Sequence, residues 1–255
     1  MGIYTAAIAL LSLQAPPAAV VSAEHSPARL DELLASKDYT TLGKTIAGVT
    51  SQPDLVSDLA WLKSRMTEGN TAFISMLYSR LLWVAAGGLP EQQKHQWRQT
   101  AAMATLYAFA AMKIDGARCG DRSAPSHRID QLGMWNPELW PFVRTLTTAE
   151  REILVKVTVG LEASTAPKRE AIGDVEFLCR AGLEEMQYNL TSGTSLEVPT
   201  RPGGFGKTIE ATGDGKYRPS ERPEAEWRTE ATKQRSSLAT DLSRLLGPGK
   251  EADAK

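Results

Sequence analysis

The sequence contains few of the residues that build metal centres and nucleophilic active sites. Its 255 residues include 3 histidines and 2 cysteines, and the spacing of His25, His95 and His127 matches no known pattern of zinc ligands. An excess of charge is also missing, because 29 basic residues face 30 acidic residues and leave a formal net charge of -1. Proteins that bind nucleic acid usually carry a basic face. We therefore expect no nucleic-acid partner, no bound metal and no cofactor.

The apolar stretch near the amino terminus is too short to cross a membrane. Residues 3–13 are uncharged and largely apolar, and the run ends just before Pro16 and Pro17, whereas a membrane helix needs about 20 apolar residues. The segment that ends at Ala23 then provides small side chains where a signal peptidase requires them. This pattern predicts a signal peptide over residues 1–23, export to the periplasm or the exterior, and no membrane span in the mature chain.

Helical periodicity dominates the chain between residues 24 and 190. Leu55, Leu59 and Leu62, for example, recur at the spacing of one helical face, and Gly69 follows where that helix should end. Comparable patterns predict helices over residues 27–35, 38–48, 52–66, 71–86 and 90–112. With the helices described next, they predict an all-α fold, an irregular or orthogonal bundle of about seven helices.

The segment after Thr147 carries conflicting signals. Thr147 and Glu150 have the spacing of a capping box, which predicts a helix reaching about residue 163. Val155, Val157 and Val159, however, alternate with less apolar residues, as in a half-buried strand. We favour the helix because the cap and the residues that follow it agree.

The two cysteines are expected to form a disulfide. A helix predicted over residues 169–189 places Cys179 on its apolar face. The other members of that face are Ile172, Val175, Leu178, Leu183 and Met186. Cys119 follows the helix over 90–112, and two cysteines in an exported protein usually pair. Two separately buried thiols are the alternative.

Composition changes after Leu190. Residues 191–223 are rich in proline and glycine, which predicts a linker between the helical domain, residues 24–190, and the carboxyl-terminal part, residues 191–255. Within it, residues 208–212 and 216–218 could pair as a small hairpin. Residues 222–246 then predict a charged helix with a thin apolar stripe, which either lies on the main domain or awaits a partner, and the carboxyl-terminal part as a whole is expected to be loosely attached. The stripe consists of Trp227, Ala231, Leu238, Leu242 and Leu245.

Charged residues are concentrated in segment 113–130, which is expected to be irregular and is the best candidate site. Its charged and titratable members are Asp115, Arg118, Asp121, Arg122, His127, Arg128 and Asp130. If the disulfide fixes this segment, Arg118, Arg122, His127 and Arg128 are candidate contacts for a ligand or partner. The alternative is a network in which the acidic and basic side chains satisfy one another and only brace the fold.

Catalysis at this segment is a weaker hypothesis. His127 could act as a general base oriented by Asp115, Asp121 or Asp130, because imidazole titrates near neutral pH. No nucleophile elbow or other catalytic signature surrounds the nearby serines. A metal site built from Asp115, Asp121, Asp130 and His127 is weaker still, since no recognised ligand spacing supports it.

Aromatic residues follow in the turn-rich segment 133–142. Trp135, Trp140 and Phe142 could contact a ligand or partner if exposed, or could close one end of the helical core if buried.

Taken together, the sequence predicts an exported, non-catalytic protein that binds a protein partner or a small anionic ligand. An exported hydrolase that uses His127 with a neighbouring aspartate is the alternative.

Overall fold

A computed structural model describes residues 20–199 and 208–247 of the chain. The described residues form eleven α-helices, two short 3-10 turns and one pair of strands. The predicted all-α fold, an irregular helical bundle, is therefore confirmed. None of the helices in these residues is both long enough and apolar enough to cross a membrane.

The first three helices are α1 (Pro27–Ala35), α2 (Tyr39–Ala47) and α3 (Gln52–Thr67). Each follows a polar residue whose side chain accepts a hydrogen bond from the first turn: Ser26, Asp38 and Ser51, respectively. Such caps satisfy backbone N–H groups that have no partner within the helix. The helix boundaries agree closely with those predicted from the sequence.

A 3-10 turn (Ala23–His25) fastens the chain before α1 onto α3. Nδ1 of the buried His25 lies 2.7 Å from a carboxylate oxygen of Asp58, which is fully buried. One turn earlier on α3, the Asp54 carboxylate accepts a hydrogen bond of 2.8 Å from the backbone N–H of Ser22. Two carboxylates on one face of α3 therefore hold the segment that enters the bundle.

The centre of the bundle is the antiparallel pair α4 (Ala72–Ala86) and α5 (Glu91–Asp115). Most side chains of α4 are buried, and the second half of α5 supplies buried alanines that let the two helices approach closely. The hydroxyl of Ser79 on α4 donates to the Ala101 carbonyl and lies 2.6 Å from the hydroxyl of Thr105 on α5. The buried hydroxyls of Ser79 and Thr105 are thus paired between the two helices.

Three helices follow: α6 (Ser123–Trp135), α7 (Leu139–Val143) and α8 (Thr148–Ile172). The capping box between Thr147 and Glu150 is present at the start of α8, so the helical interpretation of this segment is confirmed. In contrast, α6 covers much of the segment that was expected to be irregular.

The predicted single helix over residues 169–189 is wrong. The chain leaves α8 at Gly173, which has φ of 68°, forms the one-turn α9 (Glu176–Cys179), and turns again at Ala181 before α10 (Leu183–Ser192). Positive φ interrupts a helix, and glycine adopts it without steric cost. Because of these two breaks, the residues of the expected apolar face do not share one side of a helix, and three of them are exposed. They are Ile172, Leu183 and Met186.

The predicted hairpin has a different first strand. The strand β2 (Thr208–Thr212) pairs antiparallel with β1 (Thr194–Val198), with Leu196 opposite Glu210. Residues 216–218, which were expected to pair with it, form no strand. The apolar side chains of 194–198 include none that is buried, so this pair of strands lies at the edge of the bundle.

The last helix, α11 (Glu224–Leu246), is part of the main core. Trp227, Ala231, Leu238 and Leu242 are buried in the same hydrophobic cluster as α4 and α5. Leu245 was expected in this stripe but is exposed, and the next residue is buried instead. The helix packs against α5 and α8. The helix therefore lies on the main domain, one of the two alternatives, and the expected loose attachment is wrong for α11.

A buried ionic network joins α5, α8 and α11. The Arg169 guanidinium lies 2.7 Å from the carboxylates of both Asp115 and Glu162, and Arg235 of α11 reaches Glu162 at 3.2 Å. Burial disfavours the charge of the Arg169 guanidinium, yet Asp115, Tyr107 and Glu162 together outweigh that effect and raise the pKa of Arg169. The network holds three helices in register where their side chains are shielded from solvent.

Candidate functional site

The disulfide predicted from the sequence is present. Cys119 and Cys179 are joined, with their Cα atoms 5.1 Å apart, and both are buried. The bond ties the segment between α5 and α6 to the end of α9. The charged residues of segment 113–130 therefore sit at the junction of α5, α6, α9, α10 and α11.

Two of the four predicted contact residues brace α11 and the segment before it. Arg118 donates to the Glu221 carboxylate at 2.8 Å and its guanidinium lies 5.2 Å from the ring centre of Trp227. Arg122 donates to the Glu230 carboxylate at 2.5 Å. Because both guanidinium groups already have carboxylate partners, the bracing alternative describes Arg118 and Arg122.

The half-buried Asp115 and the buried Asp121 are also engaged within the fold. Asp115 pairs with Arg169, as described above. The Asp121 carboxylate accepts hydrogen bonds from the backbone N–H groups of Ser123 at 2.8 Å and Glu184 at 2.9 Å, so it connects the starts of α6 and α10. Burial acts to raise the pKa of Asp121, but these hydrogen bonds outweigh burial and lower that pKa.

The structure does not bring His127 together with an aspartate. His127 is exposed on α6, where its Nε2 lies 3.0 Å from the side-chain nitrogen of Gln131. Asp130 is exposed as well, and Asp121 is committed to the helix caps. Within the described residues, no group of three potential ligands is placed to hold a metal ion. The geometry that a general base or a metal site requires is therefore not assembled here.

Arg128 differs from the other candidates. Its Nε donates to the Phe177 carbonyl at 2.9 Å, one terminal nitrogen donates to Gln131 at 2.7 Å, and the guanidinium stacks 4.3 Å from the Phe177 ring centre. No carboxylate of the described residues lies within ion-pair distance of it. Burial lowers the pKa of this guanidinium, with Glu185 opposing that effect, but arginine stays protonated at physiological pH.

The aromatic segment divides between core and surface. Trp140 donates from Nε1 to the Gly133 carbonyl at 3.2 Å, and Phe142 packs edge-on against Trp83, so these two rings close one end of the bundle. Trp135 packs against Phe73, and its buried Nε1 has no acceptor among the described residues. Only Trp135 of the two predicted tryptophan contacts lines an open cavity.

Arg128 and Trp135 contribute to one groove, which we call the α2–α10 groove. It has a volume of about 930 Å³ and lies between α2 on one side and α9 and α10 on the other. Its floor is aromatic, because the rings of Tyr39, Phe73 and Phe177 pack against one another there. Met186 and Leu190 of α10, both exposed, form the opposite rim.

Most of the other charged side chains in the groove neutralise one another, although Lys44 of α2 also lines it. Lys37 lies 2.7 Å from Glu176, and Arg180 lies 2.6 Å from Glu185. Asp38 caps α2. Arg128 is thus the guanidinium of the groove that is held in place by the protein and keeps its charge uncompensated.

Sequence reasoning identified Arg128 and Trp135 but missed the rest of this groove. Lys37 and Tyr39 are contributed by a part of the chain about 140 residues away from Phe177 and Arg180, and no local pattern links them.

The chain matches no protein-family model, no curated protein and no solved structure. The geometry of the groove therefore carries the functional argument.

Proposed function

We propose that this protein is a non-catalytic binding protein that takes a small anionic ligand in the α2–α10 groove. The observation that carries the proposal is the Arg128 guanidinium, which faces an aromatic groove without a carboxylate partner. A half-buried cation such as Arg128 attracts an anion more strongly than an exposed one, because water screens it less. An anionic group of the ligand supplies the missing countercharge.

The size of the groove favours a small ligand over a protein partner. Small-molecule sites usually enclose about 300–1,000 Å³ and combine apolar walls with a few fixed polar groups. The α2–α10 groove, at about 930 Å³, lies at the upper end of that range and has this composition. A protein–protein interface, in contrast, usually buries about 800 Å² on each side.

Fixed geometry also supports the proposal. Arg128 is held by Phe177 and Gln131, so a ligand does not have to order a mobile side chain. Pre-organisation of this kind reduces the entropic cost of binding. A hydrogen bond between charged groups contributes about 1.5–3 kcal/mol. We therefore expect the loss of Arg128 to reduce the affinity for an anion at least tenfold.

Benzoate is a suitable first probe because it combines one carboxylate with an aromatic ring. We expect calorimetry to detect benzoate binding that weakens as salt is added, and Arg128→Gln to reduce the affinity at least tenfold. Arg122→Gln is the matched control, since it removes a guanidinium of the same helix region that already has a carboxylate partner. Equal losses in both variants, or no binding by the unmodified protein, would refute the proposed function.

We also propose that the protein is exported to the periplasm or the exterior. The apolar leader supports this, and so does the disulfide, because such bonds form and persist in oxidising compartments. The test is mass spectrometry of the protein from its native cells. We expect a chain that begins at Glu24 with Cys119 and Cys179 oxidised. A retained leader with two reduced thiols would contradict export.

A further inference from the structure

A second chamber adjoins the α2–α10 groove. It has a volume of about 360 Å³, and its walls come mainly from α2 and α4. Apart from the rim residue Arg80, its lining is apolar. The side chains that form it include Ile46, Val49, Leu77, Leu81 and Val84. Val84 is 57% exposed, so this chamber leaves apolar surface in contact with water.

The groove and the apolar chamber meet at α2. Gly43, Ala47 and Trp135 line both spaces. Gly43 has no side chain to fill the junction, and a Cβ added there would stand 3.4 Å from the Phe73 ring. The Trp135 ring provides a continuous apolar surface from one space to the other. Its buried Nε1 does not reach solvent, so we assign it no ligand contact.

The far rim of the chamber offers no free charge. The Arg80 guanidinium donates to the Asn136 side chain at 3.0 Å and lies 3.8 Å from the Glu138 carboxylate. A ligand that extends from Arg128 into the chamber therefore meets no unpaired cation at its far end. This arrangement fits one charged group and an apolar tail better than it fits an anion that is polar throughout.

We infer that the ligand is an unbranched aliphatic monocarboxylate, with its carboxylate at Arg128 and its chain passing Trp135 into the apolar chamber. This inference rests on the proposed function and names the ligand class for the same site. The aliphatic chain of the ligand covers apolar surface, including Val84, that is otherwise exposed to solvent. Burial of apolar surface then adds to the attraction of opposite charges.

The test is a series of alkanoates, from butanoate to decanoate, titrated by calorimetry below their micelle-forming concentrations. Affinity should rise by up to about fourfold for each buried methylene, which corresponds to about 0.8 kcal/mol, and should level off once the chamber is full. Decanol, which has the chain without the charge, should bind at least tenfold more weakly than decanoate.

Val84→Glu tests the position of the chain. Val84 lines the apolar chamber but not the groove, so the new carboxylate should abolish the gain with chain length and leave benzoate affinity unchanged. Ile153→Glu is the matched control, because Ile153 lies on α8 and is 56% exposed, compared with 57% for Val84. It should behave as the unmodified protein does.

The outcomes separate the two proposals. If benzoate binds through Arg128 but affinity does not change with chain length, the inferred ligand class is wrong and the proposed function stands. If neither benzoate nor any alkanoate binds, the proposed function is wrong as well. If the protein binds only to vesicles of anionic phospholipid and not to free decanoate, the occupant is a membrane surface, and the inference is overturned.

Discussion

The disulfide between Cys119 and Cys179 allows a quantitative test, because it closes a loop with a sequence separation of 60 residues. On the chain-entropy model, a loop of about 60 residues stabilises the folded state by roughly 4 kcal/mol. Native proteins are stable by only about 5–15 kcal/mol. We therefore expect reduction to remove a large fraction of the free energy of unfolding without abolishing the fold.

Urea unfolding followed by circular dichroism measures this effect. Three samples are needed: the oxidised protein, the same protein with a reductant, and the double variant Cys119→Ala, Cys179→Ala. The reduced protein keeps both sulfur atoms in the core, so its difference from the oxidised protein isolates the covalent link. The double variant also loses buried volume and should be less stable than the reduced protein. A change below about 1 kcal/mol on reduction would refute the chain-entropy reasoning.

Reduction should loosen one side of the bond more than the other. The segment around Cys119 stays attached to the segment before α11, since Gly120 donates to the Ser220 carbonyl and Arg222 donates to the Arg118 carbonyl, both at 2.8 Å. The chain around Cys179 is a single helical turn. Hydrogen exchange should therefore accelerate in α9 and α10 and change little at Gly120 and Arg222. Because α9 and α10 line the groove, benzoate affinity should fall as well.

Three further substitutions test the core by urea unfolding. Arg169→Met leaves the Asp115 carboxylate without its ion-pair partner, whereas Arg235 still reaches Glu162, and it should cost about 3 kcal/mol or more, much of it recovered by adding Asp115→Asn; a loss below about 1 kcal/mol would contradict the network. Burial raises the pKa of Asp58 to about 6 from an ordinary 3.8. Between these pH values the folded state binds more protons than the unfolded state, so Asp58 makes the protein less stable as the pH rises. The free energy of unfolding of Asp58→Asn, relative to that of the unmodified protein, should therefore increase by up to about 3 kcal/mol as the pH rises from 4 to 6. A difference between the two proteins that stays constant with pH would exclude this account. Gly69→Ala should cost at least about 1 kcal/mol, because φ is 82° and the new Cβ would stand 2.8 Å from a side-chain carbon of α8; Gly88→Ala, which has open space, should be neutral.

Local signals predicted local structure well. The cap at Thr147 and Glu150 outweighed the alternation of valines, because a satisfied helix start is a specific geometric requirement whereas short alternations also occur on helices. The cysteine pairing was predicted from compartment and number alone, and it is present. These features depend on neighbouring residues or on composition, which a sequence displays directly.

Features that depend on distant contacts were predicted less well. The helix over 169–189 followed an apolar periodicity that continued across Gly173 and Gly182, although Gly173 after Arg169 is itself a helix-stop signal. Segment 113–130 was expected to be irregular, but α6 begins within it at Ser123, and Pro125 lies in the first turn of α6, where a missing N–H costs no helical hydrogen bond. The partners of Arg118 and Arg122 lie about 100 residues away, so their charges could not be assigned to bracing in advance.

The position of α11 has a consequence for how the chain is made. Its buried stripe covers α5 and α8, which precede it by more than 50 residues, and Lys113 on α5 pairs with Asp241 at 2.5 Å. A nascent chain that has not yet emerged through Leu246 presents that surface uncovered. Contacts of such high sequence separation form late and slow folding. A chain whose synthesis is arrested shortly before α11 should thus be an aggregation-prone intermediate. A chaperone that shields apolar surface would act at that stage.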